Sequence, residues 1–154
     1  VSAIAGLCDE QSDEAQAAML LEAAGGDFAD ASYEEDDFVV TQESGLNVLQ
    51  VSALLQRLFA MRLEGRTPQA ISVRFHAAFS AGMAKLAAEC FPAGATVCLS
   101  GGTFLNRFVA ADLSRRLRQM GYRTYLPSLL PPGDGAISFG QCAVARQRLD
   151  AATH

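Results

Sequence analysis

The segment SGGTFLNR, residues 100–107, contains the residue types that a phosphate-binding turn requires. Gly101 and Gly102 permit positive φ angles and let a ligand approach the backbone closely. A predicted helix begins just after them, and a helix start offers unpaired N–H groups and the positive end of a dipole. Asn106 and Arg107, one turn further on, could add hydrogen bonds. We interpret the segment as a candidate site for a phosphate or for the ribose–phosphate part of a nucleotide. The alternative is a tight turn with a packing role.

The segment is not a P-loop, because the Gly-Lys-Ser/Thr element of that motif is missing. A second candidate is PPGDG, residues 131–135, in which Asp134 stands between two glycines. Asp134 could act as the N-cap of the last predicted helix. Its carboxylate could instead hold a divalent metal, or order the metal-bound phosphates of a nucleotide.

His76 lies beside the apolar stripe of a predicted helix. A lone histidine in this position is more often a partly buried residue with satisfied hydrogen bonds than a catalyst. The arginines in the same half of the chain are interpreted as solvated helix faces; they are Arg74, Arg115, Arg116 and Arg118.

Apolar periodicity and capping residues predict three helices in the first part of the chain, over residues 12–24, 51–63 and 67–90. Ser12 is the predicted N-cap of the first helix. Thr67 caps the third, with Pro68 in its first turn. Between the first two helices, the runs FVV (38–40) and LNVLQ (46–50) are predicted to pair as strands.

The rest of the chain alternates strands and helices: a strand at 96–99, a helix from about Phe104 to Met120, a strand at 122–126 and a last helix from Asp134. This order favours neighbouring parallel strands and a right-handed crossover. Open α/β sheets bind ligands beyond the carboxyl ends of their strands. Both glycine-containing segments are therefore predicted to lie at that edge.

The net charge of −5 conceals a strong asymmetry along the chain. Residues 1–56 contain twelve acidic side chains and no Lys or Arg, whereas residues 57–154 contain twelve basic side chains and five acidic ones. The simpler interpretation is a set of solvated acidic loops that the basic half partly neutralises. The functional interpretation is an anion site in the basic half and a partner surface in the acidic half. The overall negative charge argues against a general nucleic-acid binder.

No apolar run approaches the roughly 20 residues of a membrane-spanning helix, and the N-terminus lacks the features of a signal peptide. The absence of an initiator Met suggests a fragment or a processed chain. The four cysteines lack metal-ligand spacing, and the composition favours reduced, buried thiols in a cytoplasmic protein. They are Cys8, Cys90, Cys98 and Cys142.

Four segments together resemble the C-terminal part of the HypF hydrogenase-maturation carbamoyltransferases, in the same order and over nearly the whole chain. They are SDEAQAAMLLE (12–22), VRFHAAFSAGMAKLA (73–87), VCLSGGTFLNRFVAADLSRRLRQMGYRTYLP (97–127) and PPGDGAISFGQCAVAR (131–146). The first resembles the E-G-Q-A-A…L-E segment of that family.

The resemblance implies an α/β fold: one lobe of an actin-like or sugar-kinase-like ATPase, rich in helix with a small, mainly parallel sheet. Residues 1–154 would form a C-terminal lobe as a fragment of a larger protein. HypF-type enzymes use carbamoyl phosphate and ATP to form carbamoyl adenylate. They transfer the carbamoyl group to the C-terminal cysteine of HypE, on the route to the cyanide ligands of nickel–iron hydrogenases. The related tRNA threonylcarbamoyl transferases share the lobes and the adenylate chemistry.

The resemblance also implies roles for individual residues. Those assigned to nucleotide contacts are Ser100, Gly101, Gly102 and Asn106 on the loop, and Glu14 and Glu22 near the ribose. Asp134 corresponds to a carboxylate that helps hold a divalent metal ion, whose site another lobe would complete. His76 and Arg107 are supporting candidates.

This chain departs from the family pattern at four positions: Ala15 and Ala136 replace glycines, Gly133 replaces an Asn, and Leu105 replaces a Gln. The His-x-x-x-His metal pair, the N-terminal phosphate loop, the acylphosphatase region and the zinc-finger cysteines of the family are missing. Two other functions stay open: a non-catalytic interaction module whose acidic half binds a partner, and a sugar-kinase-type phosphotransferase. Weak, salt-sensitive self-association of the chain is also expected from its complementary charges.

Overall fold

The computed structural model describes residues 1–28 and 31–152, which form five α-helices and two separate two-stranded sheets. The helices are α1 (Gln16–Gly25), α2 (Ser52–Leu63), α3 (Pro68–Cys90), α4 (Arg107–Gln119) and α5 (Ile137–Ala152). The strands are β1 (Val39–Glu43), β2 (Leu46–Gln50), β3 (Thr96–Cys98) and β4 (Arg123–Tyr125). Short 3₁₀ turns occupy Glu35–Asp37, Gly102–Leu105 and Asp134–Ala136.

The long helix α3 contributes to both hydrophobic cores. Its start follows from the sequence, because the Thr67 hydroxyl accepts a hydrogen bond from the N–H of Ala70 at 3.2 Å and Pro68 occupies the first turn. Near its N-terminus α3 packs against α1 and α2 in one core: Ala5, Leu21, Leu54, Leu58, Ile71 and Ala78. Further along it packs against α4 and the neighbouring strands in the other: Ala84, Leu99, Leu113, Leu117 and Tyr122.

Strands β3 and β4 pair in parallel, with α4 between them in the sequence. Val97 lies opposite Thr124, and the N–H of Leu99 extends the pairing to the carbonyl oxygen of Tyr125 at 2.9 Å. The predicted parallel neighbours are therefore confirmed. The predicted pairing of the first two strands is also confirmed, because β1 and β2 form an antiparallel hairpin.

Two predicted helix starts are wrong. Helix α1 begins at Gln16, since Ser12 lies in a turn where its N–H donates to the Gln16 side-chain oxygen at 2.8 Å instead of capping the helix. Helix α4 begins at Arg107, not near Phe104, because the residues after the glycines form a 3₁₀ turn first. Asn106 then caps α4 by accepting a hydrogen bond from the N–H of Val109 at 2.9 Å.

The acidic segment 34–37 is paired with two arginines. Arg57 forms ion pairs with Glu34, Asp36 and the fully buried Asp37, at 2.7, 2.8 and 3.2 Å. Arg74 contacts the same buried carboxylate at 2.8 Å. This part of the charge asymmetry is therefore neutralised inside the molecule, as the simpler interpretation predicted.

Other expectations about surface residues need correction. The cysteines are free, but Cys8 is partly exposed and Cys90, Cys98 and Cys142 are exposed, so the prediction of buried thiols is wrong. The arginines are not simply solvated. Besides the Arg74 ion pairs, Arg115 and Arg116 bind Asp112 within α4, and Arg118 donates to Thr124 of β4. Arg74 and Arg118 therefore tie their helices to neighbouring segments, whereas the Asp112 pairs lie within one helix.

Helix α5 is exposed along its described length, and it contacts mainly the 3₁₀ turn before it. Its exposed apolar side chains are Ile137, Phe139, Val144 and Leu149. None of the helices in the described part of the chain is both long and apolar enough to cross a membrane.

Candidate functional site

The two glycine-containing loops contact each other beyond the carboxyl ends of β3 and β4. The carbonyl oxygen of Pro132 accepts hydrogen bonds from the Gly101 N–H at 2.7 Å and from the Ser100 hydroxyl at 3.1 Å. Gly133 lies so close that a Cβ there would stand 3.5 Å from the Cα of Gly102. The sequence placed both segments at this edge, and the structure joins them directly.

Next to these loops is an apolar cleft of about 490 Å³ between α1, α3, the 3₁₀ turn Gly102–Leu105 and the start of α4. Its apolar lining consists of Ala15, Ala18, Met19, Leu21, Phe75, Phe79, Leu105 and Val109. Its polar lining comes from Glu22, His76, Thr103 and Asn106, with Gly102 at the turn. The cleft therefore combines a large apolar wall with a few convergent polar groups, as small-molecule sites do.

Glu22 and Asn106 together accept hydrogen bonds from backbone N–H groups at the start of α4. One carboxylate oxygen of Glu22 accepts a hydrogen bond from the N–H of Arg107 at 2.9 Å, and Asn106 accepts one from Val109. A carboxylate at this position also interacts favourably with the helix dipole. The positive end of α4 is thus occupied by an acidic group of the chain itself.

This arrangement changes the expected phosphate contact. The Gly101 N–H is bonded to Pro132, and the N–H groups of Arg107 and Val109 at the start of α4 are bonded to side chains. The first hydrogen bond of the 3₁₀ turn is donated by Phe104 to Gly101, which leaves the N–H groups of Gly102 and Thr103 without an acceptor in the described part of the chain. These two groups are backbone donors of the turn that remain open to an anion.

His76 is buried beneath the cleft, 1 % exposed, between three aromatic rings. The ring centroids of Phe28, Phe75 and Phe108 lie 5.1, 5.2 and 5.9 Å from that of the imidazole. Its Nδ1 lies 2.8 Å from the carbonyl oxygen of Ser72, and its Nε2 lies 2.9 Å from the side-chain nitrogen of Asn106. Burial lowers the pKa of His76 below 6.5, although the Ser72 hydrogen bond and the Glu22 charge oppose that shift. His76 therefore has both ring nitrogens hydrogen-bonded, as predicted, but it is fully rather than partly buried, and its lowered pKa favours the neutral form.

Other candidate residues lie at the margin of the site. Glu14 is exposed on the turn before α1 and does not line the cleft, although its neighbour Ala15 does. The Arg107 side chain is 90 % exposed, with its Nε 3.5 Å from Glu22.

Asp134 is exposed and makes no capping hydrogen bond. The prediction that it caps the last helix is wrong, because a 3₁₀ turn intervenes and α5 begins at Ile137. Across residues 1–28 and 31–152, no group of three or more His, Cys, Asp or Glu side chains is arranged as a metal site.

The apolar wall of the cleft was not among the predicted site residues. Phe75 and Phe79 belong to the apolar stripe of α3, and both are partly exposed and line the cleft. The available signal was their i, i+4 spacing next to His76, which places all three on neighbouring parts of one helix surface.

Comparisons with known proteins identify the family of the chain. The family model described as the carbamoyltransferase, Kae1-like domain, second subdomain matches residues 1–141. A carbamoyltransferase HypF homolog from Cupriavidus necator is 33% identical over 154 residues, covering 96% of this chain and 38% of the relative. Carbamoyltransferase HypF from Rhizobium leguminosarum is 47% identical over 75 residues, covering 47% of this chain and 10% of the relative.

A crystal structure of full-length HypF in the phosphate- and nucleotide-bound form superposes with a TM-score of 0.79 and 30% identity. The match covers 96% of this chain and 19% of that one. The chain thus spans well under half the length of these relatives. Because the family model covers most of its residues, the chain belongs to the HypF carbamoyltransferase family, and its fold is that of the second subdomain of the Kae1-like domain.

Proposed function

We propose that this chain supplies the nucleotide-binding part of an enzyme that carbamoylates the C-terminal cysteine of a HypE-like acceptor protein, using carbamoyl phosphate and ATP through carbamoyl adenylate. The observation that supports this proposal most strongly is the cleft. It brings Gly102, Asn106 and Glu22 together although they are up to 84 residues apart in sequence. The phosphate- and nucleotide-bound state of a structural relative supports a nucleotide as the ligand.

Different residues of the cleft suit different parts of a nucleotide. The apolar wall, including Phe75 and Phe79, suits the face of a nucleobase. Glu22 keeps a second carboxylate oxygen for a ribose hydroxyl while its first holds the start of α4. The free N–H groups of Gly102 and Thr103 suit phosphate oxygens.

The proposed reaction consists of a preparatory hydrolysis followed by two steps on the nucleotide. Hydrolytic release of phosphate from carbamoyl phosphate leaves carbamate, whose oxygen attacks the α-phosphorus of ATP, and pyrophosphate leaves. The thiolate of the acceptor cysteine then attacks the carbamoyl carbon, and AMP leaves with the electrons of the broken C–O bond. The chain's role is to hold the nucleotide in one orientation during both steps.

Asp134 is the residue of this chain that we assign to a divalent metal. Its exposed carboxylate lies on the loop that contacts Gly102, and oxygen ligands suit such ions. One carboxylate is not a complete site, so the other ligands would come from another part of the protein. A bound divalent ion supplies charge neutralisation for the phosphates of the nucleotide.

The test is carbamoyl-phosphate-dependent exchange of pyrophosphate into ATP by the protein in its full natural length. We expect the wild type to exchange pyrophosphate into ATP. We expect the Gly102→Val variant to lose both this exchange and nucleotide binding. Gly102 has an ordinary φ and open space around its Cβ position, so the valine should fold while blocking the approach of a phosphate.

Thermal unfolding of both proteins serves as the control for folding. A folded Gly102→Val variant with wild-type nucleotide affinity would overturn the assignment of the loop. A folded wild type that neither exchanges pyrophosphate nor binds nucleotide would favour the non-catalytic interaction module instead.

A further inference from the structure

A continuous set of hydrogen bonds runs beneath the cleft from α1 to α4. The Ser72 hydroxyl donates to the carbonyl oxygen of Leu21, the residue before Glu22. The Ser72 carbonyl oxygen contacts His76, His76 contacts Asn106, and Asn106 caps α4 at Val109. The set therefore joins the two elements that carry the polar groups of the cleft.

The partners in this set determine the protonation of the imidazole. A carbonyl oxygen can only accept, so Nδ1 of His76 carries the proton and donates it to Ser72. In a neutral ring Nε2 is then an acceptor, and it faces the amide nitrogen of Asn106 at 2.9 Å. Burial of the ring among aromatic side chains favours this neutral form.

The acceptor at Nε2 also determines which way the Asn106 carboxamide points. Its nitrogen must face His76, so its oxygen faces the N–H of Val109 and caps α4. The backbone N–H of Asn106 closes the preceding turn by donating to Thr103 at 3.1 Å. Asn106 thus caps α4 through its side chain and closes the Gly102–Leu105 turn through its backbone, so the residue whose carboxamide His76 holds is the one that joins the two elements.

We infer that His76 is a positioning residue for the nucleotide: its neutral imidazole fixes the carboxamide of Asn106 and, through it, the turn that carries the free N–H groups of Gly102 and Thr103. The inference rests on the proposed function of the cleft. His76 itself donates nothing to the ligand in this role.

The test compares variants that keep or remove the acceptor at Nε2, in the protein at its full natural length, with ATP as the probe. His76→Leu removes the acceptor and leaves the half-buried Asn106 amide without this partner, so we expect nucleotide affinity to fall by about tenfold. His76→Gln offers a side-chain oxygen near the same point and should restore affinity to within about threefold of wild type. Ile71→Val, in the core one turn earlier on α3, controls for a general loss of packing and should leave affinity unchanged.

A double-mutant cycle separates positioning from simple destabilisation. If His76 acts through Asn106, then adding His76→Leu to Asn106→Ala should produce no further loss of affinity. Nitrogen NMR of the imidazole should show the proton on Nδ1 in the folded wild type, with the signal assigned by its absence in His76→Gln.

The outcomes distinguish this inference from the proposed function. If the folded wild type binds no ATP, the proposed function fails. If the wild type binds ATP and folded His76→Leu binds equally well, the positioning role is overturned while the cleft assignment stands. Additive losses in the cycle, or a proton on Nε2, would also overturn it. Rescue by Gln but not by Leu, with no added loss in the cycle, would establish it.

Discussion

Ala15, immediately before α1, adopts a left-handed backbone conformation with φ of 62° and ψ of 2°. This region is costly for a residue with a Cβ and easily reached by glycine. The resemblance noted in the sequence places a glycine of the family at this position. Ala15 thus holds a conformation that glycine would adopt without strain.

Ala15→Gly is expected to increase the free energy of unfolding by about 0.5–1 kcal/mol. Relief of the left-handed strain outweighs the greater entropy that glycine gives the unfolded chain. Chemical denaturation monitored by circular dichroism measures the change.

The matched control is Ala18→Gly in the helical part of α1, where glycine should instead destabilise by about 0.5–1 kcal/mol. Both alanines line the cleft, so the pair separates a backbone effect from a change in the cleft wall. Equal destabilisation by both variants would show that the conformation of Ala15 carries no strain.

The elements that could be predicted are those whose signals are local. The first turn of α3 was predicted because Thr67 and Pro68 mark a helix start by their own chemistry. The parallel pairing of β3 and β4 followed from the order of strand, helix and strand. The first inference used residues that act on their immediate neighbours, and the second used only the order of consecutive elements.

The starts of α1 and α4 could not be predicted in this way, because several residues compete for the same role. Ser12 is a typical N-cap residue, yet its N–H bonds to the side chain of Gln16. After the glycines, Asn106 is the residue that caps α4, and its carboxamide is held in place by His76, 30 residues away in the sequence. The sequence contains both residues but not the distance between them.

The loop before α5 provides a prediction at the scale of an element. Because Asp134 makes no capping hydrogen bond, Asp134→Asn should change the free energy of unfolding by well under the ~1 kcal/mol that a lost cap costs. The same variant should lose metal-dependent turnover in the full natural protein, since the charge that favours a divalent ion is gone.

Unfolding curves and turnover at several metal concentrations measure these two effects. Asp134→Ala provides the comparison: it should also fold normally, which a capping role would not allow. Turnover by Asp134→Asn equal to that of the wild type would remove Asp134 from the proposed metal site.

At the scale of the whole molecule, the charge asymmetry is partly resolved by internal pairing. Arg57 and Arg74 come from the basic half and bind the acidic segment 34–37, in which Asp37 is fully buried. The cluster fixes the segment before β1 onto α2 and α3. The sequence could show the imbalance of charge, but which acids would be paired depends on contacts across 20 to 40 residues.

This pairing changes the expectation for self-association of the chain on its own. The sequence suggested association through complementary charge, which salt would weaken, but part of that charge is already paired. Exposed apolar side chains are also present: Leu129 is 96% exposed, Phe139 on α5 is 62% exposed and Leu149 is 70% exposed. We therefore expect a concentration-dependent dimer whose dissociation constant stays constant or falls as sodium chloride increases, because screening affects ion pairs and not apolar contacts.

Sedimentation velocity at low and high salt tests this expectation. The double variant Phe139→Ser with Leu149→Ser should shift the chain toward monomer, because it removes apolar surface from α5. Leu63→Ser, at the end of α2 where the side chain is 74% exposed, is the matched control and should leave the dimer unchanged. Dissociation by salt would restore the charge-driven interpretation, and a monomer at high protein concentration in both buffers would show that the exposed surface of α5 does not drive self-association.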